Sequence, residues 1–321
     1  MSASPQLLKW HCRPGVERPL RYARRLLSMR PAEVAARLIA PAAPISLPDW
    51  RPPTRSRVAE RLESGFLFGP RRARHIVETW SRRNPRSAER LIQTARHSLR
   101  GWDVFGTLVP LEPGAIDWHS GDTRWSWELS RQQYLFTFGR AFLLTGEPAW
   151  ARRVAALVED WRAHNPYPHG VHWSSALEVA VRALSWLWTL PLLLKALDER
   201  FLEAWLTGLY EHYQYLESHL SLYTDPTNHL IGEAAALWML SVALPDLPAA
   251  ARHEQRALEL LAREVERQVT PDGVDREQST GYQRFVLDFC LQVMAQARRS
   301  GRSIPPVIRE RAAAMAEFLA A

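Results

Sequence analysis

From Trp125 to the end of the chain, apolar residues recur at the three-to-four-residue spacing of helices, broken by short polar joints. The pattern predicts helices over Ser126–Leu144, Pro148–His164, Ser174–Leu190, Phe201–Tyr223, Asn228–Leu244, Pro248–Val269, Thr280–Arg299 and Pro305–Ala320. The punctuation agrees with it. Thr145-Gly146-Glu147-Pro148 supplies a glycine stop and a proline start, Asn165-Pro166 closes the next segment, and Ser174 offers a cap. Joints this short make neighbouring helices pack antiparallel. Upstream, amphipathic helices are predicted at Pro19–Met29 and Pro31–Ile39. A proline-punctuated linker follows over Pro41–Pro53, and then helix over 70–99 with a break at Asn84-Pro85. Pro110, Pro113 and Gly114 exclude helix between Trp102 and Arg124, where Trp102–Val109 reads as strand or extended loop. No fixed-period repeat is visible, which argues against tetratricopeptide and HEAT arrays. The expected division is an Arg- and Pro-rich arm, 1–56, and a helical domain, 57–321.

Two of the predicted helices are not amphipathic in the ordinary way. Ser174–Leu190 is apolar or small at nearly every position. Its polar residues Glu178, Arg182, Ser185 and Thr189 follow at steps of four, three and four, so they form one stripe. In Asn228–Leu244 the ionisable groups are His229 and Glu233, again four apart. Helices enclosed on every side but one fit the inner ring of an α/α toroid, with the stripe turned to water, a partner charge or a ligand. The fold class expected is therefore all-α, an incomplete toroid of antiparallel helical hairpins.

Composition narrows the partners. The 321 residues include 41 Lys+Arg against 34 Asp+Glu, a formal charge of +7, and Lys9 and Lys195 are the only lysines. Most of these arginines suit solvated helix faces, but guanidinium forks also match carboxylate and phosphate anions. Nucleic acid is not expected: there is no Lys-rich arm, metal finger or Gly-aromatic RNA-binding signature. Fourteen Trp supply core bulk and flat faces on which sugar rings can stack. Cys12 and Cys290 form no framework and no CxxC pair. No secretory h-region and no run of ~18 apolar residues is visible, so a cytoplasmic location is the default and no membrane span is expected. The sequence does not fix the compartment or the oligomeric state.

The residues with chemical potential lie in two segments, Asp225-Pro226-Thr227-Asn228-His229-Leu230-Ile231-Gly232-Glu233 and Asp272-Gly273-Val274-Asp275-Arg276-Glu277-Gln278-Ser279-Thr280-Gly281-Tyr282. Asn228 offers a neutral NH2 donor suited to a carboxylate, though its position also suits a helix cap. His229 and Tyr282 can exchange protons, and each also has an ordinary structural use, as a first-turn histidine and an amphipathic core tyrosine. A metal at His229 and Glu233 lacks a third ligand, and neither a metal nor a cofactor is expected.

Together these segments resemble the heparinase II/III-type polysaccharide lyases. The resemblance extends upstream to Trp125-Ser126-Trp127-Glu128-Leu129-Ser130-Arg131, to Asn165-Pro166 with Gly170–Trp186, and to Arg21-Tyr22-Ala23-Arg24-Arg25-Leu26-Leu27, all in the family's order. It implies an incomplete α/α toroid followed by β-sandwich domains, and β-elimination at a uronic acid in an acidic polysaccharide. By motif, Asn228 would neutralise the carboxylate, His229 would assist or act as base, and Tyr282 would be acid or base. Glu128, Arg131, Trp173, Glu178, Arg182, Glu233 and Glu277 would bind substrate or brace the cleft, and Glu178 with Arg182 could equally form a buried pair. Two departures stand out: Gln283 follows Tyr282 where the family often has His, and the chain stops at Ala321, inside the helical region. A fragment or truncated product without the β-sandwich is therefore expected. Rival readings are a toroid glycoside hydrolase, which needs two flanking carboxylates, and a non-catalytic acidic-glycan-binding or exopolysaccharide assembly protein.

Overall fold

The computed structural model describes residues 50–222 and 227–321, which fall within one compact unit. The helices expected at Pro19–Met29 and Pro31–Ile39, most of the linker Pro41–Pro53, the last residue of the expected helix Phe201–Tyr223, and Asp225 and Pro226 of the first motif lie outside the described residues. Twelve α-helices are described: α1 Arg55–Gly65, α2 Pro70–Arg83, α3 Pro85–Arg100, α4 Thr123–Ser130, α5 Tyr134–Thr145, α6 Pro148–His164, α7 Ala176–Leu193, α8 Glu199–His219, α9 Asn228–Ala243, α10 Ala250–Gln268, α11 Thr280–Ser300 and α12 Pro306–Ala320. Between α3 and α4, β1 Trp102–Val104 and β2 Thr107–Val109 form a short antiparallel hairpin, with Trp102 opposite Val109.

From α5 onward the helices come in pairs. α5, α7, α9 and α11 touch one another in series, and α6, α8, α10 and α12 each back the inner helix that precedes them. This is the expected incomplete toroid of helical hairpins, and α1 and α2 close against its inner helices. The boundaries follow local chemistry. Asp122 accepts from the Trp125 amide at 2.8 Å to cap α4, and Asp198 accepts from Phe201 at 2.7 Å to cap α8. Gly146 and Gly301 end α5 and α11 in left-handed conformation, at φ 70° and 68°.

Two elements differ from the expectation. The single helix predicted over Ser126–Leu144 is split, because Gln132 adopts φ 53°. Gln132 is fully buried, and its side-chain oxygen accepts from the Trp186 indole at 2.6 Å. A tertiary contact thus overrides a local helix preference, and the break turns Arg131 out of the helix. The second difference is α1, which sequence patterning did not pick out. The expected boundary at residue 57 falls inside it. Val58 and Leu62 face the core, while Arg57 and Arg61 pair with Asp246.

α7 and α9 are buried almost all round, as an inner ring requires. α7 is also long and apolar enough to cross a membrane, with mean hydropathy 1.3, but 94% of that stretch is buried inside the protein. Its polar stripe finds its partners inside the protein rather than in solvent, with Arg182 Nη1 alone left without a hydrogen-bond acceptor among the stripe's buried polar atoms. Ser185 and Thr189 donate to the carbonyls of Val181 and Ser185, four residues back. Arg182 is fully buried and donates to His212 Nε2 at 2.8 Å and to the His172 carbonyl at 3.1 Å. Its guanidinium carbon lies 4.2 Å from the Trp161 ring centroid and 5.1 Å from that of Trp173.

Candidate functional site

The inner helices bring their N-terminal ends together. Arg131, just ahead of α5, forms a two-pronged ion pair with Glu178 in the first turn of α7, at 2.8 and 2.9 Å, and reaches Glu128 at 2.7 Å. Glu178 is thus the partner of Arg131, not of Arg182. Asn228 opens α9. Its backbone N–H and its side-chain Nδ2 both donate to the same oxygen of Glu277, each at 2.7 Å. Glu277 lies in the turn leading to α11, so this contact joins α9 to the second motif. Helix N-termini carry the positive ends of their dipoles, which suits an anion.

Asn228 is not the cap of its helix. Thr227 fills that position and accepts from the His229 amide, which leaves the Asn228 carboxamide for other work. His229, beside it, is exposed. Partial burial nonetheless lowers its pKa below the ordinary 6.5; the charges of Glu178 and Glu277 oppose that shift, and Arg131 adds to it. A histidine in this state is neutral at pH 7 and able to accept a proton. Tyr282 is half exposed in the first turn of α11. One turn later, the Phe285 ring lies 6.0 Å from the Arg131 guanidinium carbon, so the base of α11 meets the same cluster.

Asn228, His229, Glu277, Glu178, Arg131 and Glu128 therefore lie at neighbouring helix ends, with Tyr282 in the first turn of α11. Four of the residues expected to bind substrate or brace the cleft are buried: Glu178, in its pair with Arg131, and Trp173, Arg182 and Glu233. Trp173 is buried against Trp161, Tyr167 and His212 and donates to the Asn165 carbonyl at 3.1 Å. It braces the site from within, as does Arg182. Glu233 is fully buried, and its carboxylate accepts from the Ser221 amide at 2.7 Å and hydroxyl at 2.8 Å. Burial raises its pKa to about 7, against those two hydrogen bonds. Arg182 and Glu233 stand on polar stripes, and stripe position alone cannot tell a cleft wall from an internal pair; Trp173 enters the expected set only through the family motif. Gln283, the departure from the family pattern, is buried and donates to the Gly273 carbonyl at 3.0 Å and the Met315 carbonyl at 3.4 Å. It pins the motif turn to α12. Among the described residues, no three His, Cys, Asp or Glu side chains are grouped to hold a metal ion.

The model of the family described as heparinase II/III N-terminus matches residues 71–319. The chain belongs to this family. A heparin-sulfate lyase of Pedobacter heparinus is 26% identical to it over 190 residues, covering 57% of this chain and 28% of that protein. Among solved structures, a heparan sulfate lyase HepC mutant from Pedobacter heparinus superposes with TM-score 0.58 at 21% identity, covering 73% of this chain and 38% of that one. A heparinase III structure gives TM-score 0.61 at 17% identity, over 95% and 45% of the respective chains. These likenesses establish a shared fold. The heparinase II/III-type chain described here spans less than half the length of each of these relatives.

Within this heparinase II/III-type toroid, sequence reasoning missed what holds Asn228. The signal was present in the acidic residue five positions before Tyr282, but nothing local pairs Glu277 with a side chain 49 residues away. The left-handed Gln132 that aims Arg131 left no signal in the sequence.

Proposed function

We propose that this chain carries the site of a polysaccharide lyase that cleaves an acidic, uronic-acid-containing glycan by β-elimination. The observation that carries the reading is the gathering of Asn228, His229 and Arg131 at the N-terminal ends of adjoining inner helices, with Tyr282 on the next turn. A neutral amide donor beside helix N-termini suits a carboxylate, and neutralising that carboxylate acidifies the C5 hydrogen. His229 is the base that takes this proton. The C5–H electron pair forms the C4=C5 double bond, the C4–O bond breaks, and Tyr282 protonates the departing oxygen. The heparin-sulfate lyase among its relatives supports an acidic polysaccharide as the substrate class.

A hydrolase needs two available carboxylates. Against that reading, Glu128 and Glu178 are held by Arg131, Glu277 by Asn228, and Glu233 is buried.

The test is a panel of acidic polysaccharides followed by the ultraviolet absorbance of the unsaturated uronate product. Tyr282→Phe keeps the ring but removes its transferable proton. Turnover is expected to fall by at least ~10²-fold while glycan binding persists. Equal cleavage by Tyr282→Phe would exclude the mechanism. A wild-type chain that binds a glycan without cutting it would make the protein a binding module.

A further inference from the structure

The elimination chemistry gives Glu277 no role, yet one oxygen of its carboxylate takes the backbone N–H and one side-chain N–H of Asn228. The turn that delivers it is tightly built. The Glu277 amide donates to Asp275 Oδ1 at 2.9 Å, and Asp275 is itself buried. The Arg276 amide donates to the Gln268 carbonyl at 2.9 Å, and Gln278 is held at φ 50°, in the left-handed region. A non-glycine residue stays there only where its surroundings over-determine the backbone, and such strain gathers at functional sites.

A carboxamide can present either its oxygen or its nitrogen by a half-turn about its last bond. A carboxylate acceptor can hold only the nitrogen. With one Nδ2 hydrogen on Glu277, the other remains for a substrate anion, and the Asn228 oxygen is turned away from it. We propose that Glu277 is a positioning residue, which fixes the amide orientation of Asn228 toward a uronate carboxylate and ties Asn228 to the turn that carries Tyr282. The proposal rests on the lyase reading. The contrary role, a carboxylate occupying the uronate's own seat, predicts the opposite sign: removing it would lower KM.

The experiment compares the full chain with Glu277→Ala, Glu277→Gln, Asn228→Ala and the Asn228→Ala/Glu277→Ala pair, on the polysaccharide that the wild type cleaves. Glu277→Ala is expected to lower kcat by roughly 10–100-fold, the scale of a mispositioned group. Glu277→Gln keeps an acceptor oxygen at the same reach and should recover most of that loss. In the Asn228→Ala background, Glu277→Ala should cost much less than it does alone, the remainder coming from the backbone N–H of residue 228, which still donates to Glu277. Additive losses, or a KM that falls in Glu277→Ala, overturn the proposal. The Asn228 side-chain amide, identified in a nitrogen-15 spectrum by its absence in Asn228→Ala, gives a readout independent of turnover. It should shift and exchange faster in Glu277→Ala but not in Glu277→Gln, and an unchanged amide in Glu277→Ala refutes the orientation. If the amide responds but the wild type cuts no acidic glycan, the lyase reading fails and the contact stands.

Discussion

Asn228 and Arg182 illustrate two ways in which a polar residue survives on an apolar helix, the first at its start and the second inside it. Asn228 is released from capping by Thr227 and is held by Glu277, so its amide is fixed without being used up. Asn228→Ala is expected to reduce elimination by an amount similar to Tyr282→Phe, on the logic of losing one oxyanion donor, ~10²-fold or more. Arg182 carries a charge into the interior with no carboxylate in direct contact. Burial lowers its pKa to about 9, against the attraction of Glu178, and two indole faces with two hydrogen-bond acceptors take the place of a counter-ion. Arg182→Leu would leave His212 Nε2 and the His172 carbonyl without their donor. Two stranded buried acceptors, at ~1–3 kcal/mol each, give an expected loss of roughly 2 kcal/mol or more. Thermal melting checks this, and an unchanged Tm would mean the cage does not depend on the cation.

At the scale of elements, the inner ring was legible because α7 and α9 are apolar all round but for one polar stripe, which only enclosure satisfies. Their polar residues were legible as a stripe, but not their partners: Arg131 lies 47 residues from Glu178, and His212 lies 30 from Arg182. Helix periodicity carries no information over such separations. The missed α1 has three buried residues among arginines, too thin a stripe to stand out. The break at Gln132 was invisible because a buried indole sets it, not a local breaker. The second motif is different, since its glycine is needed where it stands. Gly273 sits at φ 88°, and a Cβ there would come 2.2 Å from the Ala314 carbonyl oxygen, which is backbone and cannot yield cheaply. Gly273→Ala therefore meets both strain and clash. It is expected to cost about 2 kcal/mol or more and to loosen the turn that presents Glu277 and Tyr282. Denaturant unfolding should reveal the first effect, and a fall in turnover exceeding any fall in folded fraction the second. A variant as stable and active as the wild type would show that the turn can leave α12 without consequence.

For the whole molecule, the buried ionisable groups set how stability depends on pH, and they pull in opposite directions. His172 is pushed down to about 4 by burial and then by the Arg182 charge. His212 is driven well below its ordinary 6.5 by the same two causes, in the same order. For both, the unfolded chain takes up a proton that the folded chain refuses. Their contribution is present above 6.5 and is lost as pH falls through the lowered values. Glu233 works the other way. Its folded pKa is about 7 against 4.5, so between those values the folded chain keeps a proton that the unfolded chain has released. Its contribution is full below 4.5 and is lost as pH rises through about 7. That interval, at about 1.4 kcal/mol per pH unit, amounts to roughly 3 kcal/mol. Buried His253 is lowered in the same direction and buried Asp275 is raised like Glu233, so three histidines against two acids leave stability rising from pH 4.5 toward 6.5, then slipping until Glu233 has ionised. Glu233→Gln imitates the protonated acid, since its oxygen can accept from the Ser221 amide while its nitrogen faces the hydroxyl. The variant should match the wild type near pH 4.5 and exceed it by a few kcal/mol at pH 8. Its rise from 4.5 to 6.5 should also be steeper, because one opposing group is gone. Chemical denaturation of both proteins across this range measures the difference. Parallel curves would mean that Glu233 ionises in the folded chain at its ordinary pKa, and that the enclosure of α9 is looser than its burial implies.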